Sequence, residues 1–101
     1  MGKTAVIRYE TKPEAADENQ RVVEQVFAEL AETQPEGLRY ATFRLDDGVT
    51  FVHIVSTEGD ADPLPQLAAF QAFQKGLGER LAGKPSRGAA HVVGSYKFLS
   101  E

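Results

Sequence analysis

Cysteine and tryptophan are both absent from the 101 residues. The missing thiols exclude a disulfide scaffold, a thiolate metal site and a cysteine nucleophile. Long apolar runs are missing too, since no stretch approaches the ~18 residues of a membrane span. Lys3, Arg8 and Glu10 interrupt the N-terminus before the apolar core of a secretory signal can form. Together these absences predict a cytoplasmic protein that does not associate with membranes.

Acidic residues outnumber basic ones, since the chain has 15 Asp and Glu but only 11 Lys and Arg, which gives a net charge of −4. Such a balance disfavours nonspecific binding to nucleic acid. The sequence of residues 47–54 partly matches the octamer of the third strand in RNA recognition modules. However, Asp47 replaces its basic residue, and Val49 and Ile54 replace two of the aromatics that stack bases. We therefore predict no nucleic-acid partner.

The first half of the chain predicts a strand followed by a helix. Thr4 to Glu10 is short, β-branched and aromatic, which is typical of a strand. Thr11 and Glu14 have the spacing of a capping box, and Asp17 to Gln20 offers a second, later cap. A helix therefore begins within residues 12–18 and ends before Pro35. The stripe that recurs at helical spacing consists of Ala16, Asn19, Val23, Val26, Phe27 and Leu30.

The second half predicts a hairpin, a helix and a last strand. Asp46-Asp47-Gly48 separates the strand-like runs Leu38 to Leu45 and Val49 to Ser56, and Asp-Gly tolerates the positive φ of a tight turn. A second helix is expected from Pro65 onward. Ala90 to Leu99 is expected to form the fourth strand.

Two interleaved strand–helix–strand units predict a four-stranded antiparallel sheet of order 4-1-3-2 with both helices on one face. This is an α+β, ferredoxin-like βαββαβ arrangement, and one domain spans residues 1–101. A parallel sheet is disfavoured because the turn between the second and third strands is too short for a crossover.

Both faces of this sheet carry large apolar side chains, although helices can cover only one of them. In the third strand Phe51 and Val55 point to one side, and Val52 and Ile54 point to the other. A strand that faces solvent is more polar on its outer side. We expect a homodimer through the open sheet face, with a monomer that keeps an apolar surface as the alternative.

The order of the elements, the strands that are apolar on both sides and the aromatic second helix resemble the antibiotic biosynthesis monooxygenase-like family of the dimeric α/β-barrel superfamily. The resemblance covers nearly the whole chain and implies that two sheets face each other in a barrel. It also implies oxygenation of polycyclic aromatic substrates without flavin or metal, or degradation of haem. The chain departs from the family pattern at Val55-Ser56-Thr57, which lacks an acidic–aromatic pair, and at Phe70, which stands where a helical His is expected.

His53 is the candidate catalytic residue. It lies in the middle of an apolar strand, where burial lowers the pKa of an imidazole and keeps it neutral, ready to accept a proton. A ligand of haem iron and a core histidine satisfied by a hydrogen bond are the alternatives. Aromatic side chains can line a pocket for a flat ligand, and the candidate substrate-binding residues are Tyr9, Phe43, Phe70, Phe73 and Tyr96.

These patterns predict a protein that binds a flat or aromatic organic molecule in a pocket between sheet and helices. A cofactor-independent oxygenase is one hypothesis, and a non-catalytic dimeric ligand-binding or scaffold protein is the other. We expect no metal, because His53 and His91 do not have the spacing of metal ligands, and no cofactor.

Overall fold

The computed structural model, which describes residues 3–59 and 62–99, contains four strands and two long helices in the order βαββαβ. The remaining positions of the predicted domain 1–101 lie outside the described residues. Short 3₁₀ turns, Pro13–Ala15 and Leu64–Gln66, precede the two helices. The elements are β1 (Lys3–Glu10), α1 (Ala16–Thr33), β2 (Leu38–Arg44), β3 (Thr50–Thr57), α2 (Ala68–Arg80) and β4 (Ser86–Ala90).

The strands form one antiparallel sheet in the order β2-β3-β1-β4, which confirms the predicted order 4-1-3-2. In the centre of this sheet His53 on β3 is paired with Ile7 on β1 and with Thr42 on β2. Residues that are paired across antiparallel strands point to the same face. The register therefore places the side chains of both neighbouring strands around His53.

The hydrophobic core lies between one face of the sheet and the helices. Phe51 from β3, Val26 from α1 and Phe73 from α2 are all buried there. Val55 belongs to the same packed layer, as its alternation with Val52 and Ile54 predicts. Within the part of the chain that the structure describes, no helix is long and apolar enough to cross a membrane.

The turn between β2 and β3 is stabilised by the side chain of Asp47. Its Oδ1 accepts hydrogen bonds from the backbone N–H groups of Val49 and Thr50, both at 2.9 Å. The Thr50 hydroxyl donates to the same carboxylate, and these bonds hold the pKa of Asp47 below its usual value. Gly48 has a φ of 81°, which confirms the left-handed conformation that the Asp-Gly pair predicts.

The starts of the helices differ in detail from the prediction. The predicted capping box at Thr11 does not form. The side chain of Thr11 is buried, and its hydroxyl donates to the carbonyl oxygen of Val49 at 3.3 Å. Helix α1 nevertheless begins at Ala16, within the predicted window. The predicted start of the second helix at Pro65 falls in the 3₁₀ turn, and α2 itself begins at Ala68.

The fourth strand is the largest correction, since it spans Ser86–Ala90 and not Ala90 to Leu99. Its register with β1 explains the difference. Ser86 pairs with Arg8 and Ala90 pairs with Thr4, so the pairing reaches the beginning of β1 at Ala90. The apolar segment that follows has strand-like composition but no strand of the same sheet left to pair with.

Candidate functional site

A cavity of about 100 Å³ lies between the sheet and α2. Its walls are mainly aromatic and aliphatic, and His53 is part of them. Three polar side chains, Asp62, Gln74 and Arg87, also line it. The aromatic and aliphatic lining includes Tyr9, Tyr40, Phe70, Phe73 and Leu77. A mostly apolar cavity with a few polar groups is typical of a small-molecule site.

His53 is held between hydroxyl groups on both sides of its ring. Its Nε2 lies 2.7 Å from Tyr9 Oη, and its Nδ1 lies 2.7 Å from Tyr40 Oη and 3.1 Å from Thr42 Oγ1. Only 3% of the residue is exposed. Burial lowers the pKa of His53 to about 4, so the ring is neutral at pH 7, as the sequence predicted.

The two tyrosines are neutral as well. Burial raises the pKa of Tyr9 to about 12, with the hydrogen bond from Asn19 opposing the shift. Burial also raises the pKa of Tyr40 to about 12, with hydrogen bonding to Thr42 opposing it. At pH 7 both phenols therefore keep their protons and act as hydrogen-bond donors and acceptors without charge.

Two polar residues that the sequence analysis did not assign complete this network. Asn19 of α1 is fully buried, and its Nδ2 donates to Tyr9 Oη at 3.0 Å. Arg80 of α2 is also buried; its Nε donates to Asn19 Oδ1 at 2.9 Å and its Nη2 donates to the carbonyl oxygen of Phe73 at 3.0 Å. Asn19 had a visible signal, since it is the one strongly polar residue in the apolar stripe of α1.

Aromatic rings pack against the imidazole from α2. The ring of Phe73 is 5.5 Å from that of His53 and 6.0 Å from that of Phe70, measured between centroids. Helical spacing explains this pair, because residues three apart lie on one face of α2. The cavity beside His53 is therefore shaped by flat side chains that favour a flat ligand.

The structure brings three of the five predicted substrate-binding residues to this cavity, namely Tyr9, Phe70 and Phe73. Phe43 is paired with Val52 across the strands and lies on the opposite face of the sheet, where its ring is 6.0 Å from that of Phe98. Tyr96 is 83% exposed beside the same opposite face. A role of these residues in ligand binding stays a prediction.

The contacts of His53 limit its chemistry. Both ring nitrogens already have hydrogen-bond partners, so neither is free to bind haem iron, an alternative that the sequence left open. Over residues 3–59 and 62–99, no group of three or more His, Cys, Asp or Glu is placed to hold a metal ion. What the arrangement can do is exchange hydrogen bonds and protons with an oxygen atom of a ligand.

Solved structures with the same fold are known. A protein described as a candidate antibiotic biosynthesis monooxygenase from Nitrosomonas europaea superposes with a TM-score of 0.75 and 9% identity, covering 91% of this chain and 90% of that one. One with the same description from Caulobacter crescentus has a TM-score of 0.69 and 22% identity, covering 92% and 91%. SnoaB, a cofactor-independent oxygenase from Streptomyces nogalater, has a TM-score of 0.65 and 19% identity, covering 93% and 95%.

These likenesses confirm the predicted ferredoxin-like α+β fold of the single chain, over nearly the whole of each chain. No family model matches the sequence, and no curated protein matches it. At such low identity the shared fold carries no information on the ligand or on the reaction, which depend on the side chains of the site.

Proposed function

We propose that this chain acts as a protein of the antibiotic biosynthesis monooxygenase type, which binds a flat, aromatic organic molecule beside His53 and oxygenates it without a cofactor. One observation carries the proposal: a buried, neutral imidazole lies between two phenol hydroxyls at the wall of an apolar cavity. SnoaB, a cofactor-independent oxygenase, has the same fold, so a chain with this fold can carry a reaction of this type. The predicted cytoplasmic location stays a prediction.

The size of the cavity narrows the ligand. At about 100 Å³ it is smaller than the ~150 Å³ cavity that accommodates benzene in an engineered protein. The cavity therefore holds no more than a single aromatic ring, and part of such a ring would lie outside it. The polar lining residues Asp62, Gln74 and Arg87 are suited to the substituents of such a ring.

A hydroquinone fits both the site and the chemistry. It supplies two electrons itself, so with one O₂ it gives a hydroxyquinone and one water, and atoms and electrons balance without a further co-reactant. His53 is the candidate catalytic residue because it lines the cavity itself. Its hydrogen bond with Tyr40, which also lines the cavity, stabilises the oxyanion of the ligand.

A non-catalytic ligand-binding protein is the second candidate. Val55-Ser56-Thr57 and Phe70 depart from the pattern of the resembled family, which favours this reading. So does the engagement of both nitrogens of His53 with neighbouring hydroxyls. The cavity and its aromatic lining serve binding equally well in either case.

Oxygen uptake separates the two candidates. We would incubate the protein with single-ring hydroquinones and with haem, follow oxygen and absorbance, and look for one ¹⁸O atom in the product from ¹⁸O₂. We expect turnover by the wild type and by Lys84→Ala, which changes an exposed side chain in the loop before β4, and at least a tenfold loss in His53→Ala. Binding without turnover supports the second candidate, and equal rates in all three proteins contradict the role of His53.

We also propose that a second copy of the chain covers the open face of the sheet. The segment 91–99 follows β4 with large apolar side chains in solvent, among them Val93 at 101% exposure and Tyr96 at 83%. Together with Val6 and Ile54 of the sheet they line a groove. Residues 91–99 are strand-like in composition but find no partner strand in their own sheet, which supports a partner of the same kind.

A further inference from the structure

Five buried or half-buried polar groups form a continuous chain of hydrogen bonds from α2 to the cavity. In order they are Arg80, Asn19, Tyr9, His53 and Tyr40, and we call them the Arg80 chain. They come from five different elements of the fold. Each bond is between 2.7 and 3.0 Å long, which is the normal range for a well-formed hydrogen bond.

The direction of these bonds is set at one end, because a guanidinium can only donate. Arg80 Nε donates to Asn19, so the atom that faces it must be the amide oxygen. The amide nitrogen of Asn19 then faces Tyr9 and donates to its Oη. This leaves the hydroxyl hydrogen of Tyr9 to be donated to His53 Nε2, which must accept it.

The opposite arrangement leaves a hydrogen without an acceptor. If Nε2 carried the proton of the neutral ring, Tyr9 Oη would accept bonds from both His53 and Asn19. The hydroxyl hydrogen of Tyr9 would then need a third partner, and none is present among the described residues. A buried hydroxyl without an acceptor is destabilising, and Tyr9 is only 3% exposed whereas Tyr40 is half-buried. The first direction is therefore favoured.

We infer that Asn19 and Arg80 are positioning residues, which orient Tyr9 so that His53 carries its proton on Nδ1, beside Tyr40 and Thr42. The relevance of this tautomer to a ligand rests on the proposed function. With Nδ1–H donated to this pair, the hydroxyl hydrogen of Tyr40 is not needed by His53. Tyr40 lines the cavity, so it offers a donor there. The ligand atom that it selects is a hydrogen-bond acceptor, such as a phenolate or carbonyl oxygen.

The substitution Asn19→Asp tests the inference because it reverses the chain with almost no change in shape. A carboxylate can only accept, so it receives bonds from both Arg80 and the hydroxyl of Tyr9. Tyr9 Oη must then accept from Nε2–H, and the proton of His53 moves from Nδ1 to Nε2. The new charge faces Arg80, whose guanidinium forms no salt bridge with a carboxylate of the described residues.

Nitrogen NMR of the ligand-free protein reads the tautomer directly, since a protonated and an unprotonated ring nitrogen have widely separated chemical shifts. The chain has two histidines, and His91→Gln assigns the signals of His53. We expect protonated Nδ1 in the wild type and protonated Nε2 in Asn19→Asp. Protonated Nε2 in the wild type overturns the inference, and so does an unchanged tautomer in a folded Asn19→Asp. If that variant does not fold, the wild-type spectrum alone decides the direction.

A second measurement addresses the ligand. 4-Nitrophenol is a single-ring probe whose phenolate is yellow, so its ionised fraction can be read while it is bound. We expect the wild type to lower the apparent pKa of the bound phenol and Asn19→Asp to raise it towards the value in water. An unchanged pKa in both proteins contradicts the donor role of Tyr40. Failure of 4-nitrophenol and the hydroquinones to bind contradicts the proposed function, while the tautomer in the ligand-free protein is decided separately.

Discussion

Replacing Gly76 by alanine is expected to destabilise the protein, although alanine is the better helix former. Gly76 and Gly78 both lie inside α2, and a glycine in a helix costs about 1 kcal/mol relative to alanine. A methyl group on Gly76 would lie 2.6 Å from Nη1 of Arg80, whereas a methyl group on Gly78 would have nothing within 4 Å. The two glycines therefore form a matched pair in one helix.

The magnitude follows from what the guanidinium of Arg80 must give up to make room. It donates to Asn19 Oδ1 and to the carbonyl oxygen of Phe73, and hydrogen bonds to charged groups contribute about 1.5–3 kcal/mol each. Loss or distortion of one of these bonds outweighs the gain in helix propensity. We expect Gly76→Ala to lower the free energy of unfolding by about 1–2 kcal/mol, against a rise of about 0.5–1 kcal/mol for Gly78→Ala.

Urea unfolding followed by circular dichroism measures both values. In a domain of this size the changes correspond to a midpoint temperature roughly 5–10 °C lower for Gly76→Ala and a few degrees higher for Gly78→Ala. The double variant Gly76→Ala/Arg80→Ala should be more stable than Arg80→Ala alone by the helix-propensity gain. In that background the new methyl group no longer clashes with the guanidinium. If Gly76→Ala is as stable as Gly78→Ala, the guanidinium is not held against α2 and the reasoning is refuted.

Three further outcomes are expected. The pKa of His53 falls from 6.5 to about 4 on folding, so between these pH values the unfolded chain binds a proton that the folded protein does not. The free energy of unfolding should therefore drop by about 3 kcal/mol as the pH falls from 6.5 to 4. A folded His53→Gln variant, measured by urea unfolding at each pH, should not show this drop. Tyr9→Phe leaves both Asn19 Nδ2 and His53 Nε2 without their partner, so it should lower the free energy of unfolding by about 2 kcal/mol in the same assay. Tyr40→Phe should lower it by less, because Thr42 stays 3.1 Å from Nδ1. Equal losses in the two variants would contradict the assigned contacts. Val93→Glu and Leu99→Glu should each halve the molecular mass measured by light scattering, whereas Lys84→Glu in the exposed loop before β4 should leave it unchanged. A wild-type protein with the mass of one chain would contradict the proposed dimer.

The sequence by itself was enough for the fold, because the signals of its elements are local. Period-two and helical spacing identify β1, α1, β2 and β3, and Asp47-Gly48 identifies the turn that makes the hairpin. The sheet order followed from the short connection between β2 and β3 and from the handedness of the crossovers. The burial of His53 was predictable too, since its neighbours on β3 are apolar on both sides.

The tertiary structure decided what these elements do to one another. Alternation divides β2 into two sets of side chains but does not say which set meets the helices. Tyr40 was therefore missed as a partner of His53, and Phe43 was predicted for a cavity on the other face. The end of β4 at Ala90 depended on where β1 begins, which is a property of the register and not of the local composition.

The network around His53 is the clearest case of a feature that no local pattern contains. Asn19 and Arg80 are 61 positions apart in the chain and meet only because α1 and α2 pack side by side on the sheet. The direction of the hydrogen bonds depends on the single group that can only donate. Sequence periodicity can predict that a histidine is buried, but only the side chains packed around it determine which of its ring nitrogens carries the proton.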